Sequence, residues 1–242
     1  MNGPLGLSII DLISNGTISP QQGATLWAMV DEGHSFIVVA IPRFAGKSTV
    51  MDAVLELTKP DCLIHRLSGK ELEMERLKRD AKGGYLVVGE FSQAPVKTYI
   101  WGSPVRKVFD TLTAGYSLAA ALHASGLQEA FSVICEGNGV SDEHASLVKF
   151  MLYIRRFGEG DESFWRRLAG IYEIDDVSGG NPMARLLHGW DETKDQFYQA
   201  QTSQLIKDSV EGIARRELIL LDAVKCAKTG SANIARMISE FH

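Results

Sequence analysis

The sequence is poor in cysteine, and its cysteines lie far apart. Cys62, Cys135 and Cys226 are the three in 242 residues, and no two of them form a CxxC pair. This spacing excludes a zinc knuckle and a thioredoxin-type dithiol. A sparse, odd number of cysteines is typical of a reducing compartment. The histidines have no HxxxH spacing, so we do not expect a metal site built from histidines.

Long apolar runs are also missing. The longest covers residues 36–42, whereas a membrane-spanning helix needs about 20 apolar residues. The N-terminal segment has no basic region, and Asp11 interrupts its apolar residues, so no signal peptide is predicted. We expect a cytoplasmic protein, and any membrane association would be peripheral, at the inner face of the membrane.

Basic residues do not dominate the chain. It has 30 acidic and 25 basic residues, which gives a formal net charge of -5. A broad electrostatic surface for nucleic acid is therefore not expected. The hydrophobic fraction of 45% and the charged fraction of 23% are typical of a soluble globular protein.

Strand and helix patterns alternate through the first 146 residues. A helical leader comes first, and its second helix is predicted to begin at Ser19, as the N-cap, and Pro20. Apolar, β-branched segments separated by helical ones then predict an α/β fold of three layers with a mainly parallel sheet. The segments predicted as strands are 34–41, 62–67, 84–91 and 117–124.

The pattern changes after residue 147. Strand patterns separated by glycine-rich turns predict a small antiparallel addition at 148–157, 163–175 and 195–200. The C-terminal segment is predicted to be helical, with a buried face formed by Ile206, Val210, Ile213, Ala214 and Leu221. The chain thus divides into a helical leader (1–32), a core (33–146) and a β addition with a helical C-terminal lobe (147–242), which together form one structural unit.

The sharpest motif is Gly46-Lys47-Ser48-Thr49, which lies between a predicted strand and a helix. Backbone N–H groups and the helix dipole bind phosphate in this context. Lys47 would reach the β- and γ-phosphates, and Ser48 would offer its hydroxyl to Mg²⁺. The full GxxxxGK[ST] pattern is broken because Ile41 replaces its first glycine. The alternative is an ordinary strand–turn–helix junction with a surface lysine.

Glu90 and His123 follow two other predicted strands. A carboxylate at the position of Glu90 would polarise the attacking water and touch the ligand shell of the metal. A neutral imidazole at His123 would contact the γ-phosphate or sense its loss. The alternatives are a solvated glutamate at the rim of the sheet and a hydrogen-bonded core histidine.

Three segments together, IPRFAGKST, LVVGE and AGYSLAAALHA, resemble the motifs of the type II/type IV secretion ATPase superfamily, the hexameric motors of type II secretion and type IV pili. The resemblance also covers the leader, the segments LYIRRF and RRLAGIYEID, and the C-terminal helices. It implies a RecA-like P-loop NTPase that uses ATP and Mg²⁺. The implied partners are further copies of the chain, in a hexamer, and a membrane-embedded secretion or pilus platform protein.

The resemblance assigns roles to individual residues. Lys47, Glu90 and His123 would be catalytic, and Ser48 and Glu90 would hold the metal. The nucleotide would contact Arg43, Phe44, Ala45, Gly46, Lys47, Ser48 and Thr49.

The chain also departs from the family pattern. Phe44 replaces a loop glycine, whose freedom at positive φ it lacks. Tyr116 replaces the first histidine of the histidine box. No Asp box is recognisable, although acidic residues lie between the two Walker motifs at Glu71, Glu73, Glu75 and Asp80. Two hypotheses follow: a hydrolysing motor ATPase, and a degenerate relative that acts as a nucleotide-binding protein or scaffold with little or no turnover.

Two pairs of arginines lie on adjacent predicted strands, Arg155-Arg156 and Arg166-Arg167. Ordinary alternation would turn one arginine of each pair outward. The other possibility is contact with a nucleotide of a neighbouring subunit or with an acidic partner.

Overall fold

The computed structural model describes residues 6–41, 44–158, 164–227 and 230–241. These residues form a mixed α/β fold around a mainly parallel central sheet. The helices are α1 (Ile9–Ser14), α2 (Pro20–Asp31), α3 (Lys47–Leu55), α4 (Glu71–Asp80), α5 (Ser103–Leu112), α6 (Leu127–Ser132), α7 (Asp142–Ala145), α8 (Val210–Lys225) and α9 (Ser231–Phe241), and a π-helical turn covers Val133–Gly137. The strands are β1 (Phe36–Ile41), β2 (Ile64–Arg66), β3 (Tyr85–Val88), β4 (Glu90–Phe91), β5 (Tyr99–Ile100), β6 (Ser117–Leu122), β7 (Phe150–Phe157), β8 (Trp165–Ser178), β9 (Asn181–Asp191) and β10 (Gln196–Gln199).

The central sheet has the strand order β10-β9-β8-β7-β1-β6-β3-β2. From β7 to β2 neighbouring strands are parallel, and from β7 to β10 they are antiparallel. β4 and β5 form a separate two-stranded pair. β7 thus belongs to both halves, because it is parallel to β1 and antiparallel to β8.

Strand β1 is buried on both faces. Phe36, Val38 and Ala40 belong to a core formed with α1, α2, α3, α8 and α9. Ile37 and Val39 belong to a second core, formed with α4 to α7. Because successive side chains point to opposite faces of a sheet, a strand covered by helices on both sides reads as an unbroken apolar run.

The connections after neighbouring strands pass to opposite faces of the sheet. After β1 the chain enters α3, which packs in the first core, and after β6 it enters α6, which packs in the second. β1 and β6 are adjacent and parallel. Such a divergence opens a crevice beyond the carboxyl ends of the two strands, where open α/β sheets bind their ligands.

The predicted start of α2 is confirmed. Ser19 is the N-cap, its hydroxyl accepts from the Gln22 N–H, and Pro20 occupies the first turn. The Gln22 side chain accepts from the Ser19 N–H in return, which completes a capping box.

Strand β9 was not predicted from the sequence. It pairs with β8 along most of its length, but the register shifts twice, between Ile171 and Tyr172 and between Ile174 and Asp176. The first shift adds Leu187 to β9 and interrupts the alternation of apolar and polar residues on which strand prediction depends, whereas the second adds Asp175 to β8. Pro182 near its start was a further signal against a strand.

The predicted buried face of the last long helix was only partly correct, because Ile206 and Ile213 pack against the core but Val210 and Ala214 are exposed. Ile206 precedes α8, and Val210 at its start is exposed. The buried residues of α8 are Arg216, Leu220 and Ala223. Arg216 pairs with Asp31 at 2.6 Å and Asp208 at 3.0 Å, and an ion-paired cation in a helix seam is invisible to hydrophobic periodicity.

Within the described residues, the helices are too short or too polar to cross a membrane.

His188 on β9 connects the antiparallel strands to α2. Its side chain is 2% exposed, and its Nε2 atom lies 2.8 Å from Thr25 Oγ1. Burial lowers the pKa of His188 from 6.5 to about 4. Between these values the unfolded chain binds a proton at this position and the folded chain does not.

We expect this difference to make the protein less stable as the pH falls from 6.5 to about 4. At about 1.4 kcal/mol per pKa unit, the loss attributable to His188 is about 3 kcal/mol by the end of this window. His188→Gln keeps a hydrogen-bonding group near Thr25 but takes up no proton, so its free energy of unfolding should fall less steeply. Urea unfolding at pH values from 4 to 8 measures both slopes, and equal slopes would contradict the assignment.

Candidate phosphate-binding site

The residues singled out from the sequence follow three parallel strands and meet at one edge of the sheet. Gly46 to Thr49 follow β1, His123 follows β6, and Glu90 follows β3. The strand order β1-β6-β3 makes them neighbours although they are far apart in sequence. Of the loop residues, Arg43 lies outside the described part of the chain, as does Pro42.

Gly46 forms the turn from the loop into α3. It is the N-cap of the helix with a φ of 91°, in the left-handed region that glycine adopts without strain. No side chain caps this end of α3 in the described structure, and the Val50 N–H donates to the Gly46 carbonyl at 2.9 Å. The start of α3 therefore presents uncapped backbone N–H groups and the positive end of the helix dipole, as an anion site requires.

Lys47 and Glu90 are brought into direct contact. The Lys47 Nζ atom lies 3.1 Å from Glu90 Oε2, and the two side chains are 8% and 14% exposed. An ion pair this far from water is screened weakly, so each charge depends on the other. The predicted loop lysine and strand-end glutamate thus belong to one site.

Gly89 explains how Glu90 reaches this position. Its N–H donates to the Thr98 carbonyl at 3.1 Å, and a Cβ on Gly89 would lie 2.9 Å from that oxygen and 2.5 Å from Thr98 Oγ1. Only glycine allows the chain to pass Thr98 so closely between β3 and β4. The glycine in LVVGE is therefore needed for the approach of the backbone.

Ser48 and His123 are both exposed at this edge. The contacts of the described residues do not join His123 to Lys47 or Glu90, so its predicted role remains a prediction. No cluster of three or more His, Cys, Asp or Glu side chains suited to a metal occurs in the described ranges.

Arg166 on β8 is a site residue that the sequence analysis did not assign to the loop of its own subunit. Its Nη2 atom donates to the Phe44 carbonyl at 2.9 Å. A Cβ on Gly46 would lie 2.9 Å from Arg166 Nε, so the guanidinium lies directly against the loop. The available signal was the pairing of two Arg-Arg sequences on adjacent strands, but only the register shows which arginines face the loop.

One arginine of each pair has an acidic partner. Arg155 pairs with Glu192 at 2.7 Å, and Arg167 pairs with Asp195 at 2.8 Å. Arg167 and the Trp190 indole hold the pKa of Asp195 at about 2 by donating hydrogen bonds to its carboxylate. These two arginines therefore have structural partners.

The acidic residues between the two strand-end motifs serve α4 and its neighbours. Glu71 accepts from Ser103, Glu73 accepts from Ser68, and Glu75 lies 3.7 Å from the Lys107 Nζ atom. Tyr116 is buried, and its hydroxyl donates to the Leu77 carbonyl at 2.7 Å and accepts from the Lys82 N–H at 3.0 Å. None of these contacts leads to the loop.

No protein-family model and no protein of curated function matches the chain. Among solved structures it is similar to the VirB11 ATPase of the Brucella suis type IV secretion system in complex with sulphate, with a TM-score of 0.43 and 12% identity over 61% of this chain and 50% of that one. It is also similar to the ATPase DotB of Yersinia pseudotuberculosis, with a TM-score of 0.42 and 10% identity over 90% of this chain and 60% of that one. For the ATPase DotB of Legionella pneumophila the TM-score is 0.38 and the identity 9%, over 86% of this chain and 53% of that one. The chain thus covers between 50% and 60% of the length of these structures.

Phe44 adopts a left-handed backbone conformation that favours glycine. Its φ is 62° and its side chain is 83% exposed. The left-handed region costs a residue with a side chain about 1–2 kcal/mol, whereas glycine tolerates it. We expect Phe44→Gly to raise the free energy of unfolding by about 0.5–1 kcal/mol after the entropy cost of glycine is deducted.

Two controls bracket this expectation. Ala81 ends α4 with a φ of 45°, so Ala81→Gly should also stabilise the protein. Leu72 is an exposed residue within α4, so Leu72→Gly should destabilise it by about 1 kcal/mol. Urea unfolding measures all three, and a Phe44→Gly protein that behaves like Leu72→Gly would refute the strain at the loop.

The Lys47–Glu90 contact should be energetically coupled. Lys47→Met or Glu90→Gln alone leaves a poorly hydrated charge without its partner, and we expect a loss of about 1–3 kcal/mol for each. The double variant should lose less than the sum, with a coupling energy of about 1–2 kcal/mol in a double-mutant cycle. The exposed pair Arg66–Asp52, 2.9 Å apart, is the control, and its coupling should stay below about 1 kcal/mol. Equal coupling in both cycles would mean that burial does not strengthen the site pair.

Proposed function

We propose that this chain is an ATP-binding subunit of a secretion-type motor, with a RecA-like P-loop core that hydrolyses ATP. The observation that carries the proposal is the 3.1 Å contact between Lys47 and Glu90 at the carboxyl edge of the parallel strands. It joins a phosphate-loop lysine to a strand-end carboxylate, the two charges that nucleotide hydrolysis requires in one place. The motifs that resemble the secretion ATPase superfamily support the same conclusion.

The proposed roles follow from the chemistry of each group. The backbone N–H groups at the start of α3 and the Lys47 ammonium would bind phosphate oxygens. Ser48 would offer its exposed hydroxyl to Mg²⁺, whose contribution when bound is to neutralise charge on the phosphates. A phosphate anion competes with Glu90 for Lys47, and the released carboxylate would then orient the attacking water. His123, at the end of the strand between β1 and β3, is proposed to face the γ-phosphate.

The assembly and location are also part of the proposal. The resemblance implies a hexamer that works on a membrane-embedded secretion or pilus platform from the cytoplasmic side. The division into a leader (1–32), a core (33–146) and a C-terminal region (147–242) is retained as a proposal, and nucleic acid is not a proposed partner.

A second candidate is a relative that binds nucleotide with little or no turnover. Two observations favour it. The acidic residues that could replace an Asp box are committed to contacts of α4, such as Glu73 with Ser68. Phe44 also holds a loop position in a strained conformation, where a bulky aromatic side chain replaces glycine.

A phosphate-release assay, run beside light scattering with and without ATP, tests the proposal. We expect Lys47→Ala to abolish ATP binding, because it removes the cation of the loop. Glu90→Gln should retain binding and lose turnover by roughly 100-fold or more. Lys225→Ala, in the last turn of α8 and away from the loop, is the matched control and should behave as wild type.

The outcomes separate the two candidates. ATP-dependent thermal stabilisation without phosphate release in the assembled wild-type protein would establish the non-hydrolysing relative. Release that is unaffected by Glu90→Gln would rule out the proposed role of Glu90. A wild-type protein that binds neither ATP nor ADP would refute both candidates.

A further inference from the structure

Two arginines of the β7–β8 pair lie beside the phosphate loop and have no part in the function proposed above. Arg156 and Arg166 are opposite each other in the register. β7 is also the parallel neighbour of β1, with Arg155 opposite Ile41, the last residue of β1. The two arginines are therefore placed at the end of β1, where the loop begins.

The face on which they lie is set by the alternation of the strands. Ile154 and Leu168 belong to the core that contains α3, and each is two residues from one of these arginines. Side chains two residues apart share a face of a strand. Arg156 and Arg166 thus continue this face beyond the edge of the core, on the side of the sheet where α3 begins.

Arg166 contacts the loop at two points. Its Nη2 atom donates to the Phe44 carbonyl at 2.9 Å, and a single methyl group added to Gly46 would lie 2.9 Å from its Nε atom. The guanidinium group therefore forms one wall of the loop.

The neighbouring Arg155 and Arg167 each form an ion pair with a carboxylate. Within the described residues, Arg166 forms no ion pair, and its Nε atom is buried without a hydrogen-bond partner. Both guanidinium groups lie over the Phe164 ring, with the Cζ atoms of Arg156 and Arg166 4.7 and 4.4 Å from its centroid. Burial, with a smaller effect of the Arg156 charge, lowers the pKa of Arg166. A partly buried guanidinium group with an unused donor is costly unless an anion binds there.

We propose that Arg166, supported by Arg156, binds the polyphosphate chain of the nucleotide within the same subunit, as a second cationic group of the phosphate loop. The inference deepens the proposed function, on which it rests for the identity of the ligand. A guanidinium group suits this task because its planar fork of N–H donors matches phosphate oxygens. Its bond to the Phe44 carbonyl also ties the conformation of the loop to the position of the bound anion.

The test compares anion binding by the wild-type chain and Arg166→Gln. Glutamine can still donate an N–H toward the Phe44 carbonyl but carries no charge. Calorimetry with Mg-ATP and, separately, with inorganic tripolyphosphate should give an affinity roughly 10- to 100-fold weaker for the variant. The slope of log Kd against log salt should also become smaller, because one screened charge is removed.

Arg155→Gln is the matched control, because Arg155 precedes Arg156 on β7 but points to the other face and pairs with Glu192. We expect its affinity to stay within about twofold of wild type, since an exposed ion pair contributes little. Arg156→Gln should weaken binding in the same direction as Arg166→Gln. If Arg166→Gln fails to fold in a urea unfolding control, Arg166→Lys keeps the charge and should retain the wild-type salt slope with weaker affinity.

Each result decides the matter. Equal affinity of wild type and Arg166→Gln would overturn the inference. A loss of affinity with an unchanged salt slope would also overturn it, because Arg166 would then affect only the shape of the loop. Binding of tripolyphosphate but not of ATP, with loss in Arg166→Gln, would support the anion site and refute the proposed function. A wild-type protein that binds neither anion would overturn both, whereas binding with the expected loss but without phosphate release would contradict hydrolysis alone.

Discussion

The burial of β1 on both faces is the constraint on which the rest of the structure depends. A strand enclosed by two cores can expose polar groups only where it ends, so its chemistry must be placed at its termini. The same holds for β6 and β3, whose side chains are also divided between the two cores. Because these strands are parallel, their carboxyl ends lie at one edge of the sheet. The separation of a dry sheet from a polar edge is what makes a Lys47–Glu90 contact possible.

Much of this edge could be predicted from the sequence, because its signals are local. The apolar run of β1, the glycine and lysine that follow it, and the apolar run before Glu90 each depend on a few consecutive residues. The cap of α2 at Ser19 is equally local, and it was predicted correctly. Parallel order could also be inferred, since strands alternate with helices in this part of the chain.

The remaining features depend on distant parts of the chain, and the sequence pattern carries little trace of them. β9 is obscured by the register shift at Leu187, which interrupts its alternation. The buried face of α8 is centred on Arg216, whose burial makes sense only once Asp31 and Asp208 are known to lie beside it. Arg166 is a case of the same kind, because its contact with the loop joins residues 122 positions apart. Pairing across such distances is decided by tertiary structure, which periodicity within a window cannot report.

The register shift between Tyr153 and Ile154 has a consequence for which residues can reach the loop. Leu168 and Ile171 on β8 are three residues apart, yet both belong to the core that contains α3. In a regular strand, residues three apart point to opposite faces. The extra residue of β8 at the shift lies between Leu168 and Ile171, so every residue that precedes it in the strand points to the other face. If β8 had no shift, alternation counted from Ile171 would point Arg167 toward the loop. Arg166 would then lie on the opposite face, where Arg167 now pairs with Asp195. The charge beside the loop thus depends on the number of residues in β8 as much as on their identity. One insertion or deletion at the shift would place Arg167 instead of Arg166 beside the loop, although neither arginine would be altered.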